Sequence, residues 1–447
     1  MAREALRDDI RKAAHPLQDR PEDFDPLMDL VGNARLVLLG EASHGTEEFY
    51  HLRAEITKRL ITEKGFHAVA VEADWPDAYR VNRYVKGQGT DADANQALGG
   101  FSRFPTWMWR NTEVLAFTDW LRVHNQGKAP SQLTGFYGLD LYSLHTSIRA
   151  VLDYLDKQDP EAAARARYRY SCFDHYGEDT QAYGYAASFG LSESCESGVL
   201  AQLQDMQRQG ILLQGQGDQA AEDEHFFAEQ NARLVKNAEA YYRTMFRGHV
   251  SSWNLRDQHM FDTLQALIGH IERQQGGEPA RIVVWEHNSH LGDARATDMS
   301  RRGEFNVGQL VKEHYGDAAV AVGFTTFHGT VTAASNWDAP AERKFVRPGL
   351  TGSYEWLFHH VEIPRFLLSL RGGGRLAEQV NETRLERAIG VIYLPESERL
   401  SHYFHANLAE QFDAVIHVDK TRALTPLERN VHWDRGEEAP ETYPFAI

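Results

Sequence analysis

The sequence predicts an α/β fold in which a mainly parallel sheet is interrupted by a large helical insertion. Short apolar runs alternate with helical patterns in the first third of the chain, and similar apolar runs return in the last third. Continuous apolar runs are typical of strands buried on both faces, and their alternation with helices favours right-handed βαβ units in a parallel sheet. The long helical patterns between the two thirds indicate the insertion.

The first third supplies three predicted strands and two helices. Leu36-Val37-Leu38-Leu39 is an apolar run that ends at Gly40. Apolar residues then recur at helical spacing through Phe49 and Ile56, and the pattern ends at Gly65, a common helix stop. The next predicted elements are a strand at 68–71, a helix from about 75 to 85 and a strand at 134–139.

Residues 143–277 are predicted to form a helical insertion or cap, because apolar residues recur there at helical spacing over long stretches. The segment from Asp174 to Gly198 is rich in Gly, Ser and acidic residues, which predicts a mobile surface segment. Residues 1–142 and 278–447 would then be the two parts of one α/β core. The second part contains predicted strands at 282–285, 318–324, 390–393 and 414–417.

The composition argues against nucleic-acid and membrane partners. The 64 Asp and Glu residues outnumber the 47 Lys and Arg residues, and a net charge of −17 repels phosphate backbones. No run approaches the roughly 18 apolar residues of a membrane span, and the charged start lacks the apolar stretch of a signal peptide. The two cysteines, Cys172 and Cys195, lack zinc-site spacing and are too few for a disulfide framework. These features predict a cytoplasmic enzyme that needs no disulfide.

Acidic residues and histidines follow four of the predicted strands. Ligands of open α/β sheets bind beyond the carboxyl ends of the strands, so these side chains are expected to meet at one edge. Hydrophilic residues are common in loops, so a single one carries little weight, whereas four strand ends together indicate a site. The residues that follow the strands are Glu41, His44, Glu72, Asp74, Asp140, Glu286, His287, Asn288 and His290.

His44 is the candidate general base. It follows a glycine turn and lies just before a predicted helix, and an imidazole exchanges its proton near neutral pH. The alternative is a histidine that only caps the helix. Ser43 does not fit a nucleophile elbow, because the pattern G-x-S-x-G requires the first glycine one residue closer to the serine.

Arg53 stands out because it interrupts the apolar stripe of its helix, between Phe49 and Ile56. A buried arginine needs a carboxylate partner, and Glu41 and Glu72 are the candidates. The alternative is an arginine whose aliphatic stem is buried while its charged end reaches the edge of the sheet.

His287 and His290 introduce a second interpretation of the site. Histidine and carboxylate side chains suit zinc or manganese, so these two residues with His44, Glu41 and Glu72 could form a metal site. No two histidines have the spacing of the H-E-x-x-H helix motif, and a proton-transfer cluster explains the same residues without a metal. The prediction is therefore a site without a metal or another cofactor.

An aromatic segment contains Trp107, Trp109 and Arg110. Aromatic side chains often wall apolar ligand pockets, although a tryptophan pair is more often part of the core. Arg256 and Asp257 open a strongly periodic helix, and a local ion pair is the default interpretation of these two residues.

Seven blocks of the sequence resemble the erythromycin esterase-like family. The first, Gly-Glu-Ala-Ser-His-Gly-Thr-Glu-Glu-Phe at 40–49, is similar to the family signature. The blocks occur in the family order and run nearly the whole chain, which chance does not explain. The other six lie at 71–76, 107–111, 136–140, 253–257, 285–294 and 412–417.

The resemblance implies a three-layer α/β core with helical additions, distantly similar to TraB and ChaN-like proteins. It also implies that a histidine base activates water for attack on a lactone, in a family generally regarded as metal-independent. A carboxylate orients the base, the arginine anchors the carboxylates, and one of two further histidines stabilises the oxyanion or protonates the leaving alkoxide. The residues that match this catalytic set are Glu41, His44, Arg53, Glu72, His287 and His290.

The predicted function is hydrolysis of a small-molecule carboxylic ester or lactone without a covalent intermediate. A macrolide substrate, and with it antibiotic resistance, is suggested only by the family resemblance. Two alternatives stay open, a metal-dependent hydrolase of peptide or phosphate bonds and a non-catalytic protein that binds a small amphiphile. The predicted substrate-binding residues are Asp74, Trp107, Trp109, Arg110, Asp140 and Asn288.

Overall fold

A mixed sheet of nine strands forms the centre of the protein, in a computed structural model that describes residues 2–177, 179–213, 219–246, 248–372 and 374–436. A separate pair of strands lies outside this sheet. The strands are β1 (His15–Pro16), β2 (Leu36–Leu39), β3 (Ala68–Asp74), β4 (Gly135–Asp140), β5 (Ile282–Trp285), β6 (Ala319–Ala333), β7 (Glu342–Val346), β8 (Arg365–Ser369), β9 (Arg384–Arg387), β10 (Tyr403–Ala406) and β11 (Ala414–Thr421).

The strand order interleaves the two ends of the chain. Across the main sheet the order is β1-β8-β11-β6-β2-β5-β3-β4, with β7 paired to β6. The pairs from β11 to β4 are parallel, whereas β1, β7 and β8 pair antiparallel with their neighbours. β5 comes from the last third of the chain and lies between β2 and β3, so the helices between β4 and β5 interrupt one continuous sheet. The mainly parallel sheet that the sequence predicts is confirmed.

Helices surround the sheet, and none in the described part of the chain is long and apolar enough to cross a membrane. Before β4 lie α1 (Ala2–Ala13), α2 (Asp25–Val31), α3 (Glu47–Lys64), α4 (Trp75–Val85), α5 (Ala94–Ala97) and α6 (Thr112–Asn125). Between β4 and β5 lie α7 (Leu144–Gln158), α8 (Pro160–Tyr170), α9 (Thr180–Ser188), α10 (Glu196–Leu213), α11 (Gln219–Met245) and α12 (His249–Gln274). After β5 come α13 (Asn288–Leu291), α14 (Asp298–Arg301), α15 (Val307–Tyr315), α16 (Tyr354–His359), α17 (Arg375–Val380), α18 (Glu398–Ser401), α19 (Leu408–Gln411) and α20 (Val431–Arg435).

Alternate residues of the same strands pack into opposite layers, as the geometry of a strand requires. In β2, Val37 and Leu39 belong to an apolar core that includes residues of α3. Leu36 and Leu38 belong to a second core, which includes residues of α11 and α12. All four side chains are buried, which explains why this strand is a continuous apolar run rather than an alternating one. The three-layer architecture implied by the resemblance is confirmed.

Two segments differ from their predicted structure. Residues 390–393 do not form a strand, because Ile392 makes only an isolated bridge with Ala334. The described part of the segment 174–198 is more regular than its composition predicts, since it contains α9 and buries Tyr183. The hydroxyl of Tyr183 donates to Glu239 at 2.6 Å, so this polar segment is tied to α11 by a buried hydrogen bond.

Cys172 and Cys195 are joined by a disulfide, so the prediction of an enzyme without one is wrong. The fold brings the two Cα atoms to 5.8 Å, a normal distance for a disulfide, although 23 residues separate the cysteines in sequence. The bond links the residues after α8 to the residue before α10. The lack of a disulfide can therefore no longer be used as an argument for a cytoplasmic enzyme.

Candidate active site

The predicted site residues meet at the carboxyl edge of the parallel strands. Glu41 and His44 follow β2, Glu72 lies near the end of β3, Asp140 ends β4 and His287 follows β5. All five side chains are buried, and His44 is 7% exposed where it borders a cleft. The edge therefore collects carboxylates and imidazoles in one place, as the strand ends predict.

Two glycines allow the turn after β2 to approach its neighbours. A Cβ atom at Gly45 would lie 1.8 Å from the carbonyl oxygen of Thr332, and one at Gly40 would lie 2.2 Å from Oδ1 of Asn288. Only glycine permits such close approach. The turn thus packs against β6 and against the start of α13, which fixes the position of His44.

Glu41 holds His44 and is itself held by Arg53. Nδ1 of His44 lies 2.9 Å from Oε1 of Glu41, and Nη2 of Arg53 donates to Oε2 of Glu41 at 2.8 Å. Arg53 is fully buried, and its guanidinium lies 4.3 Å from the ring of Tyr50 and 5.2 Å from that of Trp285. Because Nδ1 of His44 faces the carboxylate, its Nε2 is the nitrogen left for a ligand in the cleft.

Arg256 joins the carboxylates of Glu72 and Asp140. Its Nη2 lies 2.8 Å from Oε1 of Glu72 and 2.7 Å from Oδ2 of Asp140, and its Nε donates to Oδ1 of Asp140 at 2.9 Å. The other oxygen of Glu72 accepts the backbone N–H of His287 at 2.9 Å. Glu72 therefore takes its partners from α12 and from the residues that follow β5, and the expected contact with Arg53 does not form.

These charges decide which carboxyl groups are ionised. Burial alone would raise the pKa of Glu72, but His290, His44 and Arg256 outweigh it and hold that pKa below its ordinary value. Burial likewise opposes ionisation of Asp140, and Arg256 again lowers the pKa. At neutral pH both groups accept hydrogen bonds and have no proton to give.

His290 lies behind this network. Its Nδ1 is 2.9 Å from Oδ1 of Asp257, its Nε2 is 3.1 Å from Nη1 of Arg256, and its ring stacks on Trp253. An arginine can only donate, so the contact at Nε2 fits the neutral ring. Burial opposes a charge on His290, but Asp257 and Glu72 outweigh burial and raise its pKa. His290 thus takes up a proton more readily than a free imidazole.

The pKa of His287 is shifted in the opposite direction from that of His290. Its ring lies 4.8 Å from that of His44, and its Nδ1 accepts the backbone N–H of Ser289 at 3.2 Å. Burial, and then the neighbouring His44, hold the pKa of His287 well below its ordinary value. A neutral His287 can donate a hydrogen bond from Nε2, but it cannot act as an imidazolium acid.

The cleft in front of His44 has a volume of about 190 Å³. Its charged lining includes Asp74, whose Oδ2 accepts from Nη2 of Arg103 at 2.6 Å. The guanidinium of Arg103 also lies 5.0 Å from the ring of Tyr142. The aromatic side chains of the lining are Phe101, Phe104, Trp109, Tyr142 and Trp337.

Three predicted substrate-binding residues lie outside the lining of the cleft. Trp107 packs into a small apolar core, where it is 2% exposed. Arg110 turns away to Glu428, which its Nε reaches at 3.0 Å. Nδ2 of Asn288 donates to the carbonyl of Phe324 at 2.8 Å, so this side chain fastens the start of α13 to β6.

Arg256 is the residue that the sequence interpretation placed wrongly. It was expected to form a local pair with Asp257, yet Asp257 contacts His290 and Arg256 reaches two strand ends. Its block in the resemblance, at 253–257, was the available signal. Arg103 and Asp77 also line the cleft and were missed, because single charged residues in loops or in a first helical turn look ordinary.

The described part of the chain contains no preformed set of metal ligands. No three His, Cys, Asp or Glu side chains converge there as a metal site. His44, His287 and Glu72 would be the natural donors, but Glu72 already accepts from Arg256 and from a backbone N–H. A metal there would have to displace these partners.

Comparison with known proteins identifies the family. A family model described as erythromycin esterase matches residues 61–421. The chain belongs to the erythromycin esterase family. Erythromycin esterase type II of Escherichia coli is 25% identical over 334 residues, 72% of this chain and 76% of that protein. The Bacillus subtilis protein YbfO is 20% identical over 431 residues, 92% of this chain and 90% of that protein. Membership of the erythromycin esterase family supports a hydrolase of the esterase type.

Solved structures share the fold of this erythromycin esterase family member. The structure of a succinoglycan biosynthesis protein superposes with a TM-score of 0.74 at 24% identity, covering 95% of this chain and 98% of that one. A mutant erythromycin esterase in its open conformation superposes with a TM-score of 0.65 at 18% identity, covering 93% and 97%. These likenesses establish a common fold over nearly the whole chain.

Proposed function

We propose that this protein hydrolyses a carboxylic ester or lactone, with His44 as the general base that activates water. The main support for the proposal is a buried hydrogen-bond chain in which Arg53 binds Glu41 and Glu41 binds Nδ1 of His44. This chain leaves Nε2 of His44 available at the cleft. A carboxylate on Nδ1 fixes the tautomer with a lone pair on Nε2 and stabilises the imidazolium that forms when water loses its proton.

Charge in the cleft supports the later steps. Glu72 is ionised and lies close enough to His44 to stabilise its imidazolium form. The guanidinium of Arg256 lines the cleft and offsets negative charge on the tetrahedral oxyanion. His44 then returns its proton to the leaving alkoxide, while His290 positions Arg256 from behind.

Attack by water rather than by a protein nucleophile fits the lining of the cleft. Among the described residues that border it there is no serine, threonine, cysteine or lysine. Ser43, the nearest hydroxyl in sequence, is 1% exposed and bonds to the hydroxyl of Thr46. The proposed reaction therefore has no acyl-enzyme intermediate.

The size of the cleft limits what the substrate can be. Pockets that enclose drug-sized ligands usually measure about 300–1,000 Å³, and this cleft measures about 190 Å³. A small ester fits such a space, as does the reacting part of a larger lactone whose remainder stays outside. A macrolide belongs to the second group, so macrolide hydrolysis and antibiotic resistance require that the cleft accept only the lactone end or widen.

Turnover of an ester and lactone panel tests the proposal. Wild-type protein is compared with His44→Gln and with His432→Gln, an exposed histidine outside the cleft. We expect His44→Gln to lower kcat at least about 100-fold, His432→Gln to change nothing, and acid-quenched protein to carry no acyl adduct in its intact mass. Equal kcat in His44→Gln would remove His44 from the mechanism. Binding without turnover would favour the amphiphile-binding alternative.

A further inference from the structure

Among the described residues that line the cleft, one acidic side chain has no hydrogen-bond or ion-pair partner. Asp77, in the first turn of α4, borders the cleft, and it makes no hydrogen bond or ion pair with any residue that the structure describes. Its carboxylate rests against the backbone at Gly100, where an added Cβ would come within 3.2 Å of Oδ1. Every other charged side chain of the lining is paired: His44 contacts Glu41, Arg103 binds Asp74, and Arg256 binds both Glu72 and Asp140.

In the described part of the chain, the arginines near Asp77 already bind other carboxylates. Arg103 holds Asp74, and Arg80, the other arginine whose charge reaches Asp77, holds Asp91 at 2.6 Å. Arg256 is shared between Glu72 and Asp140. Next to Asp77, the described arginines Arg103 and Arg80 already hold other carboxylates, so a ligand cation would meet an unpaired carboxylate there.

We propose that Asp77 binds a cationic nitrogen on the substrate, so that the enzyme favours esters that carry a protonated or quaternary amine. The proposal rests on the ester-hydrolase function above and adds the class of substrate. Four carboxylates in the lining against two guanidinium groups make the cleft attractive to a cation. Aromatic side chains such as Trp109 and Phe101 line the same cleft and suit an alkylammonium group, whose surface is largely apolar.

A purely structural role for Asp77 makes a different prediction. An acidic residue in the first turn interacts favourably with the helix dipole, and this effect alone would contribute to stability without any preference among substrates. Glu161 also lies in the first turn of its helix, α8, directly after a proline, but it is exposed and outside the cleft. Glu161→Gln is therefore the matched control for Asp77→Asn.

The preference for a cation should depend on pH. Burial and the neighbouring Asp74 raise the pKa of Asp77 to about 7, against the opposing effect of Arg103 and Arg80. The other titratable or charged groups that line the cleft are His44, Glu72, Asp140, Tyr142 and Arg256. The ionised form of Asp77 grows from pH 6 to pH 8, so discrimination in favour of a permanent cation should grow over the same interval.

Kinetics with two matched esters test the proposal. Acetylcholine carries a permanent positive charge, and 3,3-dimethylbutyl acetate is its neutral isostere. For wild type and for Glu161→Gln we expect kcat/KM for the cation to exceed that for the neutral ester about tenfold at pH 8, mainly through KM, and less at pH 6. In Asp77→Asn we expect the ratio to fall close to one at both pH values. A wild-type ratio of one or below, or an unchanged ratio in Asp77→Asn, would overturn the proposal.

Binding separates this proposal from the proposed function. Choline and 3,3-dimethylbutan-1-ol are titrated into each protein, and the tryptophan fluorescence of Trp109 and Trp337 in the cleft reports occupancy. If neither ester is hydrolysed but choline binds about tenfold more tightly than the neutral alcohol, and Asp77→Asn abolishes the difference, the cation site stands and ester hydrolysis fails. If the neutral ester is hydrolysed in a His44-dependent way and choline binds no better than the alcohol, the hydrolase stands and the cation site is wrong.

Discussion

Replacing Arg53 with leucine would leave Glu41 buried without its arginine. Arg53 is fully buried and Glu41 is 1% exposed, so solvent cannot replace the lost charge. Breaking a buried ion pair by removing one partner costs about 3–5 kcal/mol of the free energy of unfolding. Leucine keeps the apolar stripe of α3 continuous, but it does not fill the space of the guanidinium beside Tyr50 and Trp285, so part of the loss comes from packing.

The same change should alter the pH dependence of turnover. Without Arg53, the remaining side-chain partner of the Glu41 carboxylate among the described residues is His44, whose Nδ1 lies 2.9 Å from it. Two unit charges about 4 Å apart at an effective dielectric constant near 20 interact by about 4 kcal/mol. A part of this energy is enough to shift the acid limb of the pH profile of kcat/KM upward by at least about one pH unit. The sign follows because His44 must be neutral to accept a proton, and the variant keeps it protonated to higher pH.

The assay is the pH profile of kcat/KM from pH 5 to 9, together with unfolding in urea. Arg387→Leu is the matched control, because Arg387 is 1% exposed and paired with Glu398 at 3.1 Å, away from the cleft. Both variants should lose stability, and only Arg53→Leu should move the acid limb and lower kcat/KM at pH 7 at least about tenfold. An unshifted profile with near-normal turnover would show that Arg53 has no part in the site.

Three further outcomes are expected. Arg256→Lys cannot bridge Glu72 and Asp140 with a planar fork, so kcat should fall at least about tenfold in a folded protein; unchanged kcat would remove Arg256 from the site. Burial raises the pKa of the fully buried Glu386 from 4.5 to about 8. The folded state therefore binds this proton more tightly than the unfolded state does, and the resulting stabilisation is complete below pH 4.5 and is lost as the pH rises toward 8. Glu386→Gln should therefore flatten the decline in unfolding free energy between pH 5 and 8, by on the order of 1–3 kcal/mol, and an equal decline in both proteins would contradict this assignment. Activity should survive prolonged chelation, and loss of turnover that one added divalent metal restores would favour the metal-dependent alternative.

The centre of the sheet was predictable because its strands are buried on both faces. Such strands appear as uninterrupted apolar runs, as at 36–39 and 282–285. The peripheral strands were harder to predict, because β7 and β9 are short and rich in charged residues and therefore resemble loops; β9 belongs to the separate pair. The disulfide was not predictable, because the two cysteines meet only through the packing of the inserted helices.

The residues of the candidate site were predictable where a pattern within a single strand or helix singled them out. Glu41 and Glu72 come at the ends of apolar runs, and Arg53 interrupts an apolar stripe, which is unusual within a single helix. Arg256 gave no such signal, because its role depends on reaching Glu72, which lies 184 residues away in sequence. Its neighbours Asn254, Asp257 and Gln258 are also polar, so apart from the family resemblance only the folded chain distinguishes a bridging arginine from a surface one.

Chemical rescue of His44→Ala tests the central claim most directly. If the imidazole of His44 is the base, the variant should lose at least about 100-fold in kcat, and added imidazoles should restore part of it in proportion to their basicity. Pyrazole, which is similar in size and much less basic, should restore little. Turnover of His44→Ala within tenfold of wild type and indifferent to the basicity of the added azole would contradict a histidine base at this position.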